Sequence, residues 1–258
     1  NATLNISGGY ISGGIHSFIV AGTINASGSA KIYNENGGKQ ITLLDGSNIA
    51  MNVNVTGALS SDAKIMVEGG TEGTVAVSGS GYTLTDADAA AIQPAIPGYV
   101  LKLQDNKLVC AKAAEETYCV CGGAAVGVGN HVCQDVTWQP WSSTNSLPSA
   151  TGNYYLTAPV YCTQAQATAE GAQVSIDLRG YKVNFAMESA PRCYHIKSGS
   201  VLNITDSVGG GALVKDNTKS YTAWGSFLWV YGPSDSNANG ATLNLYAGTL
   251  DGNNATTS

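Results

Sequence analysis

The sequence predicts an all-β protein wound as coils of a parallel β-helix, on three observations. Of 258 residues, 32 are glycine, 12% are charged and 43% are hydrophobic. Such a chain can bury a core, and its small turn-forming residues favour short strands over helices. Short apolar runs recur every 8 to 12 residues from Thr3 to Ser78, with glycine-rich turns between them. The two ends also share a pattern: Ala2 to Gly13 matches Ala241 to Gly252 at six of twelve positions, which marks both as the same kind of coil. The glycines follow no G-X-Y period, which excludes collagen, and the hydrophobic share excludes disorder.

In the first region the expected strands are centred on Leu4-Asn5-Ile6, Phe18-Ile19-Val20, Lys31-Ile32-Tyr33, Ile41-Thr42-Leu43, Met51-Asn52-Val53, Ile65-Met66-Val67 and Val75-Ala76-Val77. Turns fall at Ser7-Gly8-Gly9, Asn36-Gly37-Gly38 and Glu68-Gly69-Gly70. A sandwich also satisfies even spacing, but strands this short with turn-rich corners describe coils. Residues 1–83 are therefore expected to be the last coils of a first β-helix. From Leu84 the texture changes. Thr85 or Asp86 caps a short helix that runs through alanines towards Pro94, and Tyr99 to Leu103, Asp105-Asn106 and Lys107 to Cys110 alternate as a β-hairpin. Residues 84–113 are expected to cap the first module, and 114–150 to form a linker holding cysteines and a histidine.

Residues 151–258 are expected to begin a second β-helix. Its strands start at Tyr154-Tyr155-Leu156 and include Val174 to Leu178, Tyr181 to Phe185, Tyr194-His195-Ile196, Leu202-Asn203-Ile204, Leu213-Val214, Phe227 to Tyr231 and Leu243-Asn244-Leu245. Alternation turns Leu4 and Ile6, Leu202 and Ile204, and Leu243 and Leu245 inward. Asn5, Asn203 and Asn244 then face outward or sit at a bend. The chain is expected to be a fragment of a longer, multi-module protein.

A net charge of −6 with scattered Lys and Arg gives no footprint for nucleic acid, which needs clustered cations. No uncharged apolar run reaches the length of a membrane span. In the linker, Cys119-x-Cys121 and His131-x-Cys133 flank a Gly-rich loop that lets the chain fold back. Three thiolates and one imidazole suit tetrahedral Zn²⁺ in a structural role; disulfides among the same cysteines suit an extracellular compartment, and the residues leave both open. Cys162 and Cys193 either bridge neighbouring coils or stay as buried thiols, as does Cys110.

Enzymes built on this kind of coil need clustered carboxylates, and the sequence offers few. Asp86-x-Asp88 reads as charge at a helix N-terminus, Glu115-Glu116 as a solvated linker, and Asp177 with Arg179 as a structural pair sharing one strand face. No enzyme activity is expected. The densest aromatic segment holds Trp224, Phe227, Trp229 and Tyr231. As a strand it puts Leu228 and Val230 on one face and Phe227, Trp229 and Tyr231 on the other, so aliphatics filling the interior would present an aromatic row outside. Such a row stacks on sugars or anchors a protein interface.

Asn203-Ile204-Thr205-Asp206-Ser207 with Gly209-Gly210-Gly211-Ala212-Leu213, Ile176 to Tyr181, and Leu243 to Thr249 resemble pectin-lyase-like right-handed β-helix regions of large surface proteins from anaerobic Firmicutes. The linker, with Cys119, Cys121, His131, Cys133 and Trp138, resembles segments that separate such regions. The resemblance implies a right-handed β-helix and an extracellular location, at the cell surface or secreted. Together these readings lead to a non-enzymatic adhesin or binding scaffold. Its expected partners are host glycan, mucin or immunoglobulin and adjacent β-helix modules; the alternative is a structural stalk or head-to-tail fibre, and a polysaccharide lyase or hydrolase comes third.

Overall fold

The computed structural model describes residues 2–11, 16–18, 22–32, 39–42, 52–68, 72–94, 97–122, 133–187, 192–216, 226–232 and 239–252. The chain is all-β, and its contacts divide it into two units, Asn1–Ala113 and Ala114–Ser258. Among the described residues no helix is long and apolar enough to cross a membrane.

The first unit contains β1 (Ala2–Ile6), β2 (Tyr10–Ile11), β3 (His16–Phe18), β4 (Gly22–Gly28), β5 (Lys31–Ile32), β6 (Lys39–Thr42), β7 (Asn52–Leu59), β8 (Lys64–Glu68) and β9 (Val75–Gly79). Then come α1 (Asp86–Ala90), β10 (Ile92–Pro94), β11 (Tyr99–Gln104) and β12 (Lys107–Lys112). Strands β1, β4, β7 and β9 pair in parallel and in register, so Leu4, Ile24, Val53 and Val77 form one inward row. Val53, Val55, Ile65 and Val77 are all but fully buried. The asparagines between them face the other way and bond to one another. Asn25 Nδ2 donates to Asn5 Oδ1 (2.8 Å) and Asn54 Nδ2 to Asn25 Oδ1 (3.3 Å). Of the two placements expected for Asn5, outward or at a bend, the structure has the outward one, within the strand.

Two devices end this parallel sheet. The hairpin β11–β12 joins β9 in antiparallel fashion, and Asp105 and Asn106 both have positive φ, as a two-residue I′ turn requires. Thr85 is the N-cap of α1, in a capping box with Asp88. Asp88 was expected only as N-terminal charge, yet it is 1% exposed, and its carboxylate also accepts the Leu59 backbone N–H at the end of β7 (2.8 Å).

The second unit contains β13 (Glu116–Cys119), β14 (Asp135–Trp141), β15 (Gly152–Leu156), β16 (Val160–Cys162), β17 (Gln166–Ala167), β18 (Gln173–Asp177), β19 (Lys182–Phe185) and β20 (Arg192–Ile196). It continues with β21 (Val201–Thr205), β22 (Ala212–Lys215), β23 (Ser226–Val230), β24 (Thr242–Leu245) and β25 (Thr249–Asp251). From β15 onward the chain visits three sheets in turn, so the strand orders run β14-β15-β18-β21-β24, β16-β19-β22-β25 and β17-β20-β23, all parallel. Val174, Leu202 and Leu243 make one inward row, and Ser175, Asn203 and Asn244 the polar row beside it. Asn244 Nδ2 donates to Asn203 Oδ1 (2.9 Å).

Strand β13 closes the first edge of this unit by pairing antiparallel with β14. Trp138 on β14 is fully buried, stacks on Tyr118 with centroids 4.9 Å apart, and donates from Nε1 to the Tyr118 carbonyl. Gly211 lies where an added Cβ would come within 2.7 Å of Leu178 Cβ. That approach lets buried Asp206 accept the Gly180 and Gly211 N–H groups at 2.6 and 2.7 Å and hold the corner after β18.

Candidate functional site

Strand β23 carries the aromatic segment. Its register sets Leu228 beside Tyr194, Trp229 beside His195 and Val230 beside Ile196. Tyr194 and Ile196 are fully buried, so Leu228 and Val230 lie on the inward side, as alternation expects. Val230 is nevertheless 43% exposed, because β23 ends its sheet among the described residues.

The expectation of three aromatics on the outer side is corrected at Phe227. Its ring meets fully buried Phe185 edge-on at 5.7 Å. Strict alternation fails at the start of β20, where Cys193 and Tyr194 are both buried, and Phe227 on the neighbouring strand follows Cys193 inward. Trp224 lies outside the described residues. The outer face therefore consists of Trp229 and Tyr231, with centroids 6.0 Å apart, and His195, 6.3 Å from Tyr231. All three are half-buried.

Two cations complete this face. The Arg192 guanidinium carbon lies over Trp229, 3.2 Å from the ring centroid, and Lys197 Nζ sits 5.5 Å from the Tyr231 centroid. Burial first, then the Lys197 and Arg192 charges, hold the His195 imidazole below its ordinary range, so it is neutral at neutral pH. Neither cation was singled out in the sequence, where each stands alone. The register that brings residues of β20 and β23 side by side is what groups them.

The cysteine cluster is the second candidate. Cys119 and Cys133 are joined by a disulfide, and Cys121 Sγ lies 3.2 Å from Cys119 Sγ and 3.8 Å from Cys133 Sγ. All three sulfurs fall within 4.8 Å of one another. Cys119 and Cys121 are buried and Cys133 is exposed. Of the two readings the sequence left open, the disulfide is the one present, and it ties up two of the expected zinc ligands. His131 lies outside the described residues. The cluster is fastened to the sheet by Thr205 Oγ1, which donates to the Cys121 carbonyl at 2.6 Å. Cys162 and Cys193 are buried thiols, not a bridge, and burial pushes them up to about 12 and about 11, which makes both unreactive.

The Asp177–Arg179 pair is structural. Asp177 ends β18, while Arg179 lies in the turn beyond it at φ 50, so the two do not share a strand face. Asp177 is fully buried and accepts four hydrogen bonds, from Tyr118 Oη, Ser207 Oγ, Ser207 N and Arg179 N. Four bonds use every lone-pair site of a carboxylate, leaving none for a substrate. Arg179 lies over the Tyr155 ring at 4.3 Å and pairs with Glu116, which belongs to β13 and is no solvated linker residue. No protein-family model, no curated protein and no solved structure matches this chain.

Proposed function

We propose that the chain is an extracellular, non-enzymatic binding module whose two units are right-handed β-helix coils carrying an aromatic docking face. The observation that carries this reading is the pair Trp229 and Tyr231, held half-exposed on the outer side of β23. Trp138, Tyr155, Phe185 and Tyr194 are fully buried in the same unit, so the fold has interior room for large rings. Rings left at the surface supply contact area at small entropic cost. The regular visiting of three parallel sheets supports the coil reading, and the Cys119–Cys133 disulfide supports an oxidising, extracellular location. Host glycan, mucin and immunoglobulin are the partners proposed for the aromatic face, and adjacent β-helix modules those proposed for the coils.

The test is a binding screen of the chain against host glycans, mucin and immunoglobulin beside a Trp229→Ala/Tyr231→Ala variant. Saturable binding that weakens about 30-fold or more in the variant is expected, since truncating two anchors costs about 2–4 kcal/mol. No saturable binding to any of the three overturns the adhesin reading in favour of a structural stalk.

The sulfur cluster supports a second reading, exclusive of the disulfide: a structural Zn²⁺ site in the reduced chain. In tetrahedral thiolate coordination, Zn–S bonds of about 2.3 Å place sulfurs about 3.8 Å apart, the separation found between Cys121 Sγ and Cys133 Sγ, 3.8 Å. A phosphine reductant gives two electrons and becomes the phosphine oxide, water supplies that oxygen and the two protons, and the Cys119–Cys133 disulfide opens to two thiols. Cys119, Cys121, Cys133 and His131 would then hold the metal. After reduction the chain should bind one equivalent of Co²⁺ with thiolate-to-cobalt absorption, and Cys121→Ser should weaken binding about 100-fold. A reduced chain that takes up no cobalt ends this part of the reading.

A further inference from the structure

Arg192 and Lys197 are met by rings, and among the described residues no carboxylate pairs with either. Both observations run against composition, because the chain has 18 acidic residues to 12 basic ones. Arg179 shows what the molecule does with a cation it needs only for structure: carboxylates of Glu116 and Asp177 answer it. At the outer face of β20 and β23, two cations and a neutral imidazole stand together instead around Trp229 and Tyr231.

Ring and cation have complementary needs here. An indole attracts a guanidinium through its negative face, with a strength of about 0.5–2 kcal/mol, but accepts none of its five N–H groups. A guanidinium held against an indole keeps its rigid, planar fork of N–H groups, which suits two parallel bonds to a carboxylate or sulfate. Lys197, near Tyr231, adds a compact positive charge on the same face. Tyr231 supplies the apolar surface against which a pyranose ring can lie. A neutral sugar would use the ring and leave both cations unanswered; nucleic acid would need a longer run of cations than these two.

We propose that this face binds a terminal sugar bearing one anionic group, with Tyr231 and Trp229 taking the pyranose and Arg192 and Lys197 taking its carboxylate or sulfate. The inference rests on the binding-module reading and narrows its ligand. A sialic-acid carboxylate and a sulfate ester are the two sources of the anionic group.

The experiment measures binding of the chain to 3′-sialyllactose, 3′-sulfolactose and lactose, immobilised at equal density, at low and high salt. At least one acidic sugar should bind tenfold or more tightly than lactose, and high salt should erase most of the difference. Which acidic sugar binds tells carboxylate from sulfate. Arg192→Gln should lose the preference while leaving unit 114–258 folded by tryptophan fluorescence. Arg192→Lys should recover only part of it, because an ammonium has no bidentate edge. Lys197→Gln should lower it severalfold and serves as the second variant should Arg192→Gln perturb the fold. Equal binding of all three sugars, lost in Trp229→Ala/Tyr231→Ala, would overturn the acidic-sugar inference and leave the glycan-binding module intact. Binding to none of the three sugars, with binding to immunoglobulin retained, would overturn the inference alone. Binding to no probe at all would overturn both.

Discussion

Asp177→Ala is expected to cost the second unit about 3–5 kcal/mol, the usual penalty for stripping one partner from a buried charged network. Four donors lose their acceptor at once. The Tyr118 hydroxyl, both Ser207 groups and the Arg179 N–H stay where the carboxylate was. The Arg179 guanidinium, 3.7 Å from Asp177, would lose that carboxylate and keep its pairing with Glu116. The damage should centre on β13, because Tyr118 and Glu116 both belong to that closing strand. All four tryptophans, Trp138, Trp141, Trp224 and Trp229, fall in residues 114–258, so their fluorescence reports this unit alone. At a urea dependence of about 1.5–2 kcal/mol per molar, the midpoint should fall by roughly 1.5–3 M. Asp177→Asn keeps the shape and one acceptor oxygen, so it should fall by less. A midpoint for Asp177→Ala within a few tenths of a molar of the parent would show that the network does not anchor β13.

The features legible in the sequence are those that one strand or one turn decides by itself. The alternation in Leu4-Asn5-Ile6 and Leu202-Asn203-Ile204 told inside from outside, Thr85-Asp86 announced the helix start, and Asp105-Asn106 announced the hairpin. What failed depends on which strands lie side by side. The asparagine and serine rows join residues 20, 29, 28 and 41 apart. With no constant period between turns of the chain, neighbours across the sheet could not be counted off. Arg192 and Lys197 therefore went unseen beside Trp229, Tyr231 and His195. Phe227 was misplaced for a related reason: alternation describes a strand interior, and the start of β20 departs from it with two successive buried residues. Asp177, Arg179 and Glu116 looked like a pair and a linker charge, because the 63 residues separating Glu116 from Arg179 hid their contact. At the cysteines, residue types pointed to the cluster but could not choose between metal and disulfide, since both use the same sulfurs.

The first unit has its own anchor of this kind in Asp88. Removing it should expose its fold to opening at β7. Its carboxylate accepts the Thr85 N–H (2.9 Å), Thr85 Oγ1 (2.7 Å), Tyr82 Oη (3.0 Å) and the Leu59 N–H (2.8 Å), so one side chain ties α1 to the end of a central strand. Burial alone would raise its pKa, but the hydrogen bonds, from Leu59 first and then Thr85 and Tyr82, outweigh it and hold the group below the ordinary carboxylate range. A depressed folded-state pKa means that the stabilisation is complete above the unfolded value of about 3.9 and is lost as pH falls through the lower, folded one. The first unit should therefore lose stability below about pH 4 through this group. Asp88→Ala should lose it at every pH, by about 2–4 kcal/mol, from a buried Leu59 N–H left without its acceptor and a weakened helix cap. Amide hydrogen exchange resolves the unit directly, which matters because it contains no tryptophan. Peptides spanning β7 and β9 should exchange on the order of 100-fold faster in Asp88→Ala at pH 7, while those of β18 and β21 keep their parent rates. Unchanged exchange in β7 would mean that the Leu59 bond does not restrain the strand, and α1 would then be an ornament on the sheet, not its fastening.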